Sequence, residues 1–122
     1  MTKNNRLASL KKDFIAALRI IFHEGLSDAF AHLSARVDGG KKMLFMPRKS
    51  PALVKASELF VVEFDKPVAQ SAVHQAVYKV RDDVEAVIHF HSPAVILFKR
   101  RRPDGSADAQ LQRNLLRGRA YV

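Results

Sequence analysis

The chain of 122 residues is the length of one domain, and its 48% hydrophobic content suffices for a single core. Its net charge of +9 is uneven, with +4 on the first 98 residues and +5 on the last 24. The absence of cysteine excludes disulfides and thiolate metal sites. No apolar run is long enough for a membrane span or a secretory signal, so a cytoplasmic chain without membrane partners is expected.

From Arg6 to Glu24 the spacing predicts a helix, because Leu7, Leu10, Phe14, Ala17, Leu18 and Ile21 recur at three- and four-residue steps. Lys11, Lys12 and Arg19 lie off that stripe, and Gly25 is a natural stop. Leu26-Ser27-Asp28 follows as a turn. His32 to Val37 alternates as a strand, with Leu33, Ala35 and Val37 on one side and His32, Ser34 and Arg36 on the other. Asp38-Gly39-Gly40 is a hairpin signal, with Met43 to Met46 as the partner strand. After the basic loop Arg48-Lys49-Ser50-Pro51, a helical turn at Ser57-Glu58-Leu59 leads into a strand from Phe60 to Phe64. Val68 to Val80 has helical spacing, with Val73, Ala76, Val77 and Val80 on one side.

Val84 to His91 is apolar almost throughout, which predicts a central strand buried on both faces. It ends in His89-Phe90-His91-Ser92-Pro93. Residues i and i+2 of a strand share a face, so His89 and His91 present two imidazoles side by side. They are either ligands for a borderline metal such as zinc or a polar strand end. Ser92 and Pro93 fit the start of a further helix over Ala94 to Phe98. From Lys99 onward the chain is basic and turn-forming, a poorly ordered tail or a contact for an acidic surface. The tail lacks aromatic interleaving or a recognisable motif, so nucleic acid is not expected as a partner. Helices alternating with strands around a Gly-Gly hairpin indicate a layered α/β domain with a mixed sheet.

The order of motifs resembles the class II aldolase/adducin family. The markers are Gly25-Leu26-Ser27-Asp28, His32-Leu33-Ser34-Ala35-Arg36, Met46-Pro47 and Ser57-Glu58-Leu59. The most specific are His74-x-x-x-Tyr78, Arg81-Asp82-Asp83-Val84 and Ala86-Val87-Ile88-His89-Phe90-His91-Ser92-Pro93. The resemblance covers residues 1–98 as a partial domain and leaves 99–122 as an unrelated tail, as in a truncated or frameshifted reading frame. It implies a three-layer α/β/α sandwich with a mixed, largely antiparallel sheet, and a homo-oligomer. It also implies zinc or a similar divalent ion held by three histidines, two of which match His89 and His91.

The implied function is metal-dependent carbon–carbon lyase chemistry. The substrate is a small polar carbonyl compound, a sugar phosphate or a hydroxy-ketoacid, which undergoes aldol cleavage or decarboxylation. His32, Arg48 and Lys49 stand where substrate contacts are expected, although Arg48 and Lys49 also suit solvated surface. Two departures point to impaired catalysis and weak metal binding. Gln70 occupies the position of the family's acid/base glutamate, and an amide cannot accept a proton at neutral pH. No histidine follows His91 to supply a third ligand. His74, one helical turn after Gln70, suits packing or support of a ligand. The alternative is a non-catalytic, adducin-like interaction domain.

Overall fold

The computed structural model describes residues 2–27, 31–66 and 68–92. Helix α1 (Lys3–His23) is capped by Thr2, whose side chain accepts from the Asn5 N–H. It stops where Gly25 adopts φ 65°, a left-handed conformation that glycine takes without penalty. Strands β1 (His32–Arg36), β2 (Lys42–Phe45), β3 (Phe60–Glu63) and β4 (Ala86–His89) form one sheet in the order β3-β2-β1-β4. All three pairings are antiparallel. The β1–β2 hairpin turns at Asp38 (φ 50°) and Gly39 (φ 64°), closed by the Gly40 N–H donating to the Val37 carbonyl. Positive φ at both central residues matches the right-handed strand twist, which explains the Asp-Gly pair there.

The two faces of β1 are both covered. Leu33 and Ala35 face α1 and pack with Phe14, Leu18, Leu44, Met46, Val54 and Leu59. The opposite face meets helix α2 (Ala72–Val80) around Met43, Phe45, Val62, Phe64 and Tyr78. The expected three-layer α/β/α arrangement is therefore present. Arg19, off the apolar stripe, donates to the carbonyls of Pro51 and Val54 and so ties the loop after β2 to α1.

Two expectations from the apolar patterning are corrected. The stretch from Val84 to His91 is not a central strand buried on both faces. Among the described residues β4 is an edge strand, four residues long, with Ile88 44% exposed. A continuous apolar run shows that a strand is unlike its solvated neighbours, but not how many strands pair with it. The second correction concerns the stretch from Val68 to Val80. A 3-10 turn (Ala69–Ser71) precedes α2, and the face turned to the sheet carries His74, Gln75 and Tyr78. Val73 and Val80 of the apolar stripe point to solvent. Periodicity identified the helix, but hydrogen-bond demand from β1 chose its inner face. The expected helix over Ala94 to Phe98, the domain boundary after Phe98 and the basic tail lie outside the described residues.

Arg36 shows that demand most clearly. It is buried, donates to the carbonyls of Val84, Gly40 and Arg81, and lies 5.1 Å from the ring centroids of Phe64 and Tyr78. Replacing Arg36 with Met keeps an apolar stem but leaves three carbonyls without this donor. A loss of roughly 3 kcal/mol is expected in urea denaturation. A variant as stable as wild type would show that water satisfies those carbonyls equally well.

Candidate functional site

The site lies at the end of the sheet where β1 begins and β4 ends. Antiparallel register places His32 directly opposite His89. His91 follows beyond β4, with its ring centroid 5.2 Å from that of His89. The expected juxtaposition of His89 and His91 is thus present, although only His89 belongs to the strand. Both residues are exposed.

The ring spacing fits a shared ion. An imidazole centroid sits roughly 3.2 Å from a zinc bound at about 2.0–2.1 Å, so two rings in tetrahedral positions have centroids about 5 Å apart. Among the described residues, no third His, Asp or Glu joins the pair to form a metal-holding group.

Behind the pair is a buried polar cluster. Ser34 Oγ lies 2.7 Å from His74 Nδ1 and 2.8 Å from Tyr78 Oη. His74 is fully buried, and its Nε2 has no hydrogen-bond partner among the described residues. Phe45 links the cluster to the surface, with the His32 ring stacked on it at 5.7 Å and His74 against its edge at 5.2 Å. Burial, with smaller contributions from His32 and His89, lowers the His74 pKa to about 4, so the ring is neutral. Burial also lowers the His32 pKa, assisted by the neighbouring charges of His89 and Arg48. Tyr78 is pushed above its ordinary value, again chiefly by burial.

The remaining expected residues divide. Arg48 is exposed and close enough to act on His32 electrostatically. Lys49 instead pairs with both carboxylate oxygens of Glu58, at 3.2 and 3.0 Å. The same carboxylate accepts from the Lys55 N–H, so Lys49 helps to hold the turn that leads into β3. Gln70 is exposed on the 3-10 turn, whereas His74 is buried on α2. The turn between them is 3-10 at its start and α-helical only from Ala72, so the two residues differ in element as well as in burial. Ser34 and Tyr78 were not singled out as functional from sequence. Their signal is present, however, in the two-residue step from His32 to Ser34 and the four-residue step from His74 to Tyr78.

The family model described as "Class II Aldolase and Adducin N-terminal domain" matches residues 12–117. That match continues past Phe98, so the resemblance does not end there as the motifs alone indicated. An aldolase class 2 protein of Pseudomonas aeruginosa is 33% identical over 96 residues, covering 69% of this chain and 37% of that protein. The methylthioribulose-1-phosphate dehydratase of Marinobacter nauticus is 26% identical over 111 residues, covering 84% of this chain and 53% of that enzyme. Among solved structures, L-fuculose 1-phosphate aldolase from Glaciozyma antarctica superposes with a TM-score of 0.66 at 26% identity, covering 75% of this chain and 43% of that one. The chain therefore spans about two-fifths to one half of these relatives' lengths.

The buried imidazole has a consequence for stability. Free histidine titrates near 6.5 and folded His74 near 4, so between those values the unfolded chain binds a proton that the folded chain does not. Stability from this group is present above pH 6.5 and is lost as pH falls toward 4, by at most about 3 kcal/mol. Urea midpoints measured across that window should fall with acid in the wild type and less steeply in His74→Gln. Parallel slopes would place the acid sensitivity elsewhere.

Proposed function

Since the chain belongs to the class II aldolase and adducin family, we propose that it carries the metal-binding and substrate-orienting part of a carbon–carbon lyase. The substrate in this reading is a small carbonyl compound bearing a phosphate or carboxylate, open to aldol cleavage or decarboxylation. The observation that carries the reading is the register that sets His32 opposite His89, with His91 beside it. Two names among the relatives, an L-fuculose 1-phosphate aldolase and a methylthioribulose-1-phosphate dehydratase, support a phosphorylated sugar as the substrate type.

His89 and His91 hold a divalent ion such as zinc through neutral imidazole nitrogens. When bound, such an ion supplies Lewis-acid stabilisation of the charge that develops on a substrate oxygen. The rest is the work of the chain's own side chains. His32, half-buried against Phe45, offers a ring nitrogen to a substrate oxygen. Arg48, whose charge acts on His32, pairs with the phosphate or carboxylate. Lys49 has a smaller part, because Glu58 already engages it. Gln70 can orient a substrate group through its amide but cannot take a proton from it. This reading includes a homo-oligomer and a cytoplasmic setting.

A second reading, a non-catalytic interaction domain, draws support from the outward apolar residues Val73 and Val80 of α2. Metal binding separates the two. Calorimetric titration with zinc should show weak binding by the wild type and none by His89→Ala or His91→Ala, since one imidazole does not hold the ion alone. Equal affinity in all three proteins would make the pair a polar strand end and favour the interaction domain.

The glutamine predicts slow chemistry. Losing a positioned acid/base costs about a hundredfold to ten-thousandfold. Turnover of L-fuculose 1-phosphate should therefore stay at least about a hundredfold below the order of 10 per second common among enzymes. A coupled assay for the released aldehyde reads this directly, and turnover at the common rate would mean that another group accepts the proton.

A further inference from the structure

The buried cluster behind the histidine pair has a determinable proton arrangement. A serine hydroxyl carries one hydrogen, so Ser34 can donate to His74 or to Tyr78, but not to both. Of the two hydroxyls, the phenol holds the more acidic hydrogen. With the phenol as the donor to Ser34, the serine hydrogen is left for His74 Nδ1. In a neutral imidazole the other nitrogen then carries the hydrogen, which makes His74 Nε2–H a fully buried donor with no acceptor among the described residues.

Geometry brings one candidate acceptor into the neighbourhood of that donor. His32 and Ser34 are two residues apart on β1 and share the face that α2 covers. His32 and His74 pack against the same Phe45 ring, one stacked and the other in a T-shaped contact. We propose that the chain Tyr78–Ser34–His74 continues to the His32 imidazole, across no more than one water molecule, and fixes which His32 nitrogen carries the hydrogen.

In this arrangement Tyr78, Ser34 and His74 are positioning residues. One nitrogen of His32 accepts from the interior, so its other nitrogen is an N–H donor directed toward the strand end. Such a donor suits a carbonyl or hydroxyl oxygen of the substrate, a use that rests on the lyase reading; the tautomer itself does not. The device also gives a reason for placing a serine, a histidine and a tyrosine in a core where apolar side chains would pack at lower desolvation cost.

The test is a long-range proton–nitrogen correlation spectrum of the metal-free chain with labelled histidines. The wild type should show one tautomer each for His74, with the hydrogen on Nε2, and for His32. Ser34→Ala should shift the nitrogens of both rings toward values averaged over two tautomers. Tyr78→Phe, which keeps the ring against Phe64, should move them in the same direction by less. If Ser34→Ala does not fold, Tyr78→Phe decides the matter. A hydrogen on His74 Nδ1 in the wild type would overturn the proposal, as would a His32 ring that stays unchanged while His74 responds. A chain that shows the expected shifts yet binds no zinc would retain this inference and lose the metal reading; unchanged His32 with normal zinc binding would do the reverse.

Discussion

Strand β1 places a polar residue at every second position, so the face that helix α2 covers carries His32, Ser34 and Arg36. That geometry demands internal partners, because a buried polar group without a hydrogen bond costs about 1–3 kcal/mol. Ser34 meets the demand with His74 and Tyr78, and Arg36 meets it with three backbone carbonyls and two aromatic faces. Helix α2 is consequently oriented by its polar side. Val73 and Val80 remain outside because His74, Gln75 and Tyr78 have obligations inside. Gln75 follows the same rule by donating to the carbonyls of Glu63 and Lys66 beside β3.

The candidate site inherits its shape from this polar layer. His32 is the outermost member of the face, so it alone meets solvent while standing on the same support as the buried residues. Phe45 packs against both His32 and His74, so the two imidazoles share one apolar neighbour. On the other side of His32, β4 brings His89 by register and His91 by continuation. The exposed histidine pair thus adjoins a hydrogen-bonding interior, an arrangement in which interior partners can orient a side chain from behind.

Loop chemistry separates two basic neighbours that look equivalent as sequence. Lys49 closes onto Glu58, and the paired lysine lowers that carboxyl's pKa below its usual value. Arg48 acts instead on His32 through its charge. The loop itself is held down by Arg19 from α1, so its position depends on a residue of the helix's polar side. A charge placed one residue along can therefore differ in role when one side chain has a local carboxylate within reach.

The sequence by itself determined most of the described elements, the hairpin and the closeness of His89 to His91. These follow from short-range rules: 3.6-residue and two-residue periods, an Asp-Gly turn, and a single intervening residue. The motifs also sufficed to identify the family and the layered fold. Only the tertiary structure decided that β4 lies at an edge of the described sheet and that α2 turns its histidine and tyrosine inward. It likewise decided that Lys49 is engaged while Arg48 acts on His32 through its charge, and that His32 faces His89. Each of those depends on partners far apart in the chain: β1 with β4, Ser34 with α2, and the loop after β2 with α1. Local periodicity reports which residues share a face, but which face is buried depends on the hydrogen bonds and contacts that another segment supplies.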